Sequence, residues 1–163
     1  MRVRLALVTV VAFAALALSA SVAAQSGQTI SASEGQQFSG QVASVTAACS
    51  SPSSASATID WGDGSTSSAQ VTQSGSQLVI SGSHTYAEES ASAGYAGSVS
   101  GTYTCPSIGR SVQYTITASF TAQVADALLS ASGRSISATA GQSFTGMVAT
   151  FGDANPGGTA SDY

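Results

Sequence analysis

Two stretches of this chain alternate apolar and small polar residues with a period of two, and that pattern limits the fold more than any other feature. From Tyr95 to Cys105 the odd positions read Tyr95, Gly97, Val99, Gly101, Tyr103 and Cys105, with only Ala, Ser or Thr between them. From Val112 to Val124 the even positions read Val112, Tyr114, Ile116, Ala118, Phe120, Ala122 and Val124, separated by Gln, Thr and Ser. Successive side chains on a strand face opposite ways, so each stretch predicts a strand with one apolar face. "PSIGR" between them, with Pro106 and Gly109, predicts the hairpin loop.

Shorter segments behave alike. Phe38, Gly40 and Val42 share a face, as do Ile59 with Trp61 and Leu78 with Ile80, and the Ser/Gly/Pro clusters between them read as turns. The chain is rich in Ser, Thr, Ala, Gly and Val, but this alternation argues against a disordered low-complexity tract. Short strands, frequent turn signals and no helical periodicity beyond the first residues predict an all-β fold, an antiparallel β-sandwich.

The first residues, "MRVRLALVTVVAFAALALSASVAAQS", place Arg2 and Arg4 before an apolar run and then small residues around Ala23 and Ala24. This is the build of a secretory signal peptide over residues 1–24, with an uncleaved anchor as the alternative. The run is short for a bilayer span, and no second apolar stretch of about 20 residues follows. The expected location is therefore secreted or cell surface, with no membrane association beyond the signal peptide. Without that segment, Arg110 and Arg134 stand against eight acids, two positive against eight negative charges for a net of −6, and there is no lysine. Two isolated arginines do not make the positive patch that phosphates require, which excludes nucleic acid as a partner class. Two cysteines, Cys49 and Cys105, in an exported chain predict one disulfide.

The chain also repeats itself. "SGQTISASEGQQFSGQVAS" from Ser26 aligns without gaps on "SGRSISATAGQSFTGMVAT" from Ser132, an offset of 106 residues. A period of that length is that of whole domains in tandem, longer than the units of a solenoid. By the offset, the counterpart of Trp61 falls beyond Tyr163, so the second copy holds only the first two strands, which do not bury a face alone. The expectation is a piece of a longer repetitive protein; the alternative is a natural terminus whose extra strands pack onto the first domain.

"ATIDWGDGST" carries two aspartates and two glycines around the only tryptophan. Ile59 and Trp61 point into the core, and Gly62-Asp63-Gly64 reverses the chain, since glycine accepts positive φ and Asp bonds back to its own backbone. An EF-hand loop needs acids at alternate positions and a distal Glu, which "DWGDGSTSSAQV" lacks. A phosphate-cradling loop wants a following helix and usually a lysine. The turn is the primary reading, and weak Ca²⁺ binding through Asp60 or Asp63 the alternative. His84, the only histidine, lies in "SGSHTYAEES". In a serine-rich chain a Ser/His/Asp trio can always be drawn, yet no Gly-x-Ser-x-Gly elbow singles out a serine. One histidine and two paired cysteines make no ordinary zinc site. His84 is therefore expected to bond a neighbouring loop.

Trp-Gly-Asp-Gly after a short apolar strand, then "SHTYA", then the Gly-x-Tyr strand of "GTYT", together resemble the PKD domain, an immunoglobulin-like β-sandwich common in bacterial surface and secreted proteins. The resemblance covers residues 27–125, leaving 126–133 as a linker and 134–163 as the truncated start of a second repeat. The family usually passes from His-Thr-Tyr to its Gly-x-Tyr strand within a few residues; here "AEESASAGYAGSVS" intervenes. The order Cys49, Trp61, then "YTC" at Tyr103 and Cys105 is similar to that of immunoglobulin-type sandwiches and implies a Cys49–Cys105 bond across the sandwich. The cysteines are not a hallmark of the PKD family. The resemblance implies that Trp61, Gly62, Asp63, Gly64, His84, Tyr86 and Tyr103 are structural and that the module serves spacing, adhesion or glycan contact without catalysis.

The expected function is thus a non-catalytic extracellular module whose partners are proteins, glycans or neighbouring repeats, with no cofactor. One alternative is a carbohydrate-binding accessory module of a secreted hydrolase. It needs exposed aromatics, and with Trp61, Tyr103, Tyr114 and Phe120 on inner faces, Tyr86 and Phe151 are left. Another is an adhesin repeat stiffened by Ca²⁺.

Overall fold

The computed structural model describes residues 26–159; the segment read as a signal peptide lies outside them. Every regular element among the described residues is a strand. In chain order these are β1 (Ser26–Ser33), β2 (Gln37–Thr46), β3 (Ser53–Asp60), β4 (Thr66–Ser68), β5 (Gln70–Ser74), β6 (Gln77–Thr85), β7 (Tyr95–Ser107), β8 (Arg110–Ala125), β9 (Leu129–Gly133) and β10 (Ala149–Asp153). The two alternating stretches of the sequence are β7 and β8. They pair in unbroken antiparallel register from Tyr95↔Ala122 to Ser107↔Arg110, and Gly109 turns between them at φ 70°.

β7 and β8 are the middle of a five-stranded sheet ordered β1-β8-β7-β3-β4, and β2, β6 and β5 form a second, three-stranded sheet. β1 runs parallel to β8, while the other pairings are antiparallel. The apolar sides of the two sheets meet in one core, with Val42, Val45, Leu78 and Ile80 from the smaller sheet and Ile59, Val99, Tyr103, Ile116 and Phe120 from the larger. This is a β-sandwich. Phe120 bends over Gly97, where a Cβ would stand 2.2 Å from its Cζ, so glycine opposite the ring is a packing requirement. The outward positions of β8, Ser111, Gln113, Thr115, Thr117 and Ser119, are exposed and polar.

In β2 the register against β6 shifts between Gln41 and Ala43. The bulge puts both Val42 and Ala43 inside and brings Val45 into the core, whereas Phe38 and Gly40 are only half-buried. The single face expected for Phe38, Gly40 and Val42 therefore holds only in part. The disulfide joins Cys49 and Cys105 with Cα atoms 6.0 Å apart. Cys105 lies on β7, but Cys49 lies in the β2–β3 connection rather than on a strand, so the bond ties that connection to the larger sheet. Such a bond is consistent with an extracellular protein. Among the described residues no helix is long and apolar enough to cross a membrane.

Past β8 the chain behaves differently. β9, within the stretch read as linker, pairs antiparallel with β10 as a separate two-stranded ribbon. Ile136, Phe144, Val148 and Phe151, the counterparts by the repeat offset of Ile30, Phe38, Val42 and Val45, are exposed. Ile30 itself is covered because β1 lies beside β8, with Ile30 opposite Ala122. Among the described residues no equivalent strand covers Ile136, Phe144, Val148 and Phe151.

Candidate functional site

The polar residues that the sequence singles out converge where the β3–β4 hairpin meets β6. Gly62 and Gly64 have φ of 83° and 92°, and Trp61 N–H donates to the Ser65 carbonyl (3.0 Å), closing the loop. Two aspartates hold the bend in the manner expected of turn residues: Asp60 Oδ1 accepts from Gly62 N–H (2.9 Å) and Asp63 Oδ1 from Ser65 N–H (3.0 Å). Gly62 is required twice, because a Cβ there would also stand 2.7 Å from the Ala96 carbonyl oxygen.

Under this loop Trp61 is fully buried, its indole N–H donating to Ser67 Oγ at 2.9 Å. The His84 ring stacks on it with centroids 4.9 Å apart and planes 18° from parallel. Tyr86 meets both rings edge-on, at 4.6 Å from His84 and 6.3 Å from Trp61, and Phe38 and Phe120 approach Trp61 from other sides. Tyr86 O–H donates to the Trp61 carbonyl at 3.3 Å, and its ring stacks on Tyr95. Burial above all, with the Asp63 charge and Tyr95 adding to it, pushes the Tyr86 phenol up to about 12. Tyr86 is thus no surface aromatic: the expectation that it offers a sugar-stacking face is overturned by its complete burial, whereas Phe151 is 67% exposed. Tyr103 is equally buried; its hydroxyl accepts from Ala48 N–H at 2.9 Å and its ring stacks on Tyr114.

His84, Asp63 and Ser65 form a close trio. His84 Nε2 lies 2.6 Å from Asp63 Oδ2 and 3.3 Å from Ser65 Oγ, and the Ser65 hydroxyl donates to Asp63 Oδ1 at 2.6 Å. The side chains of His84 and Asp63 are 16% and 19% exposed, although the turn backbone itself is open to solvent. Burial pushes the Asp63 carboxyl up, but the hydrogen bonds from Ser65 and His84 and the histidine charge outweigh it and hold the group below its ordinary value. The residue types are those of a hydrolytic triad, but the wiring is not. A triad sets the acid on one imidazole nitrogen and the serine on the other, so that the ring carries a proton from the hydroxyl. Here both oxygens face Nε2, and the serine proton is already bonded to the aspartate. The arrangement clamps the loop onto Trp61.

Ser65 and Ser67 were not singled out in the sequence. The Asp63-x-Ser65 spacing, typical of a side chain bonding its backbone two residues on, was the available signal. Among the described residues Asp60 and Asp63, the Ca²⁺ candidates, belong to no group of three or more metal-ligating side chains. The described carboxylates that do approach one another are Glu34, Glu88 and Glu89, with oxygens within 4.8 Å. No short stretch of sequence joins them, because Glu34 sits in the β1–β2 turn and only the fold carries it to the start of the β6–β7 connection. Tyr95 O–H donates to the Glu88 and Glu89 carbonyls, and burial first, with these acids and Asp63 adding to it, raises its phenol. No protein-family model, curated protein or solved structure matches this chain.

Proposed function

We propose that the chain is a non-catalytic, secreted or cell-surface module of immunoglobulin-like, PKD-type architecture, serving as a spacer or adhesion element in a tandem array. Its partners are neighbouring repeats and extracellular proteins or glycans. The observation that carries this reading is the use made of the polar cluster: Asp63, Ser65 and His84 Nε2 bond one another and the turn that seals Trp61, with acid and serine on the same imidazole nitrogen. The parallel β1 edge, the buried Trp61 and the buried Tyr-x-Cys strand support the architectural assignment. The carbohydrate-binding alternative is left with Phe151 alone of its two candidate aromatics, since Tyr86 is buried with Trp61 and Tyr103. The calcium alternative loses Asp63, whose two oxygens are engaged.

The test is a screen of the full chain for hydrolysis of ester, peptide and glycoside substrates, with binding to chitin, cellulose and extracellular matrix proteins measured alongside. Binding without turnover is expected. Turnover abolished by His84→Ala would overturn the proposal. Melting with Ca²⁺ and with chelator tests the adhesin alternative, which predicts a rise in melting temperature with the ion.

A further inference from the structure

Most of the chain after β8 is exposed, yet Asn155, far from either sheet in sequence, is only 6% exposed. Its side-chain amide donates to the Ala87 carbonyl at 3.1 Å, just past the end of β6. Its Oδ1 accepts from Gly157 N–H (2.9 Å), and its own backbone N–H donates to Asp153 Oδ1 (2.8 Å), so the loop that carries it is braced on both sides. The amide is thereby satisfied inside a contact between the two copies of the repeat, as a buried polar group must be.

The seat is built for it. Gly35, in the β1–β2 turn at φ 66°, leaves a gap over which Asn155 lies: a Cβ there would stand 2.4 Å from Asn155 Oδ1 and 2.9 Å from its Cα. On either side of Gly35, the Gln36 amide donates to the Ala154 carbonyl at 3.3 Å, and buried Glu34 accepts from Ala127 N–H at 3.3 Å through Oε1. Glu34 N–H in turn bonds the Ala125 carbonyl, and Ala154 N–H bonds the Leu128 carbonyl. The connection between the copies is therefore tied to the first sandwich at Ala125 and Ala127, and to the second copy's loop at Leu128. A flexible linker makes no such bonds.

We infer that the Glu34–Gly35–Gln36 turn and Ala87 of one unit form a socket, and the Asp153-to-Gly158 loop of the adjoining unit the plug. Together they fix the angle between consecutive repeats and make the spacer stiff. This rests on the tandem-module reading and deepens it, since a rod of locked units sets a reach that a chain of loose beads does not. The same Gly-Gln pair recurs in the second copy as Gly141 and Gln142, with Gly141 at φ 80° and open space where a Cβ would stand.

The test uses the full chain with two non-cysteine spin labels, one at the exposed Ile108 tip of the first sandwich and one at Ser132 on β9. A locked joint gives a single narrow distance distribution, and Asn155→Ala broadens it. In the same variant, amide exchange at Ala127 and Ala154, which do not bond the Asn155 side chain, accelerates about tenfold as the joint opens. Melting followed at Trp61 stays within the first sandwich's normal range, which separates joint opening from unfolding. Gly35→Ala, which obstructs the seat, reproduces the broadening. A broad distribution in the unmodified chain, or unchanged width and exchange in both variants, overturns the lock while leaving a flexible spacer standing. Catalytic turnover would instead overturn the spacer reading and leave the joint intact.

Discussion

Replacing His84 by alanine should destabilise the sandwich well beyond what one partly exposed side chain ordinarily contributes. The ring makes two aromatic contacts, stacked on Trp61 and edge-on to Tyr86. Such contacts contribute about 0.5–1.5 kcal/mol each beyond area burial. The pairing with Asp63 adds about 0.5–1 kcal/mol once solvent screening at a partly open site is allowed for. Together these give a loss of about 1.5–4 kcal/mol, which for a domain of roughly 100 residues lowers the melting temperature by about 7–20 °C. Urea unfolding followed by the fluorescence of Trp61, the only tryptophan, with circular dichroism as an independent probe, reads the loss directly. His84→Phe keeps the stacking and discards the Asp63 bond, so it should lose only about 1 kcal/mol. A double-mutant cycle of His84→Ala with Asp63→Ala should return a coupling of about 0.5–1 kcal/mol. A loss below about 0.5 kcal/mol for His84→Ala, or equal losses for the alanine and phenylalanine variants, would refute the clamp.

Removing the disulfide by replacing Cys49 and Cys105 with serine opens a 56-residue separation and should cost about 4 kcal/mol in the chain-entropy account, read as a lower urea midpoint that reductant reproduces in the unmodified chain and leaves unchanged in the variant. The folded Tyr86 phenol lies above its ordinary value, so its contribution is fully present below about pH 10 and is lost as pH rises toward about 12. Tyr86→Phe should therefore flatten the alkaline side of the stability profile; an unchanged slope counts against the burial argument. Asp63 carries the opposite sign: its folded carboxyl lies low, so its contribution is present above the ordinary carboxylate value and is lost as pH falls through the folded one. Asp63→Asn should make the melting temperature less dependent on pH in acid. Gly82→Ala places a methyl 2.5 Å from Ile59 Cδ1 and 3.1 Å from Trp61 Cζ2, and should cost about 1–3 kcal/mol by overpacking, read in the same urea assay.

The sequence alone determined what depends on neighbours along the chain. Period-two alternation marked β7 and β8, because a pleated strand sends successive side chains to opposite faces, and Gly62-Asp63-Gly64 marked a reversal, because positive φ favours glycine. Burial of Trp61 beside Ile59 followed from the same parity. Tertiary structure decided whatever joins distant residues. The bulge that turns Val42 and Ala43 inward together depends on pairing with β6, and Tyr86, which looked available at the surface, is covered by rings from other strands. The wiring of His84 to Asp63 and Ser65, and the seating of Asn155 over Gly35, bring together positions far apart in sequence. Local pattern encodes which way a side chain points, whereas the identity of its neighbour depends on how sheets twist and pack, and no short window of sequence contains that.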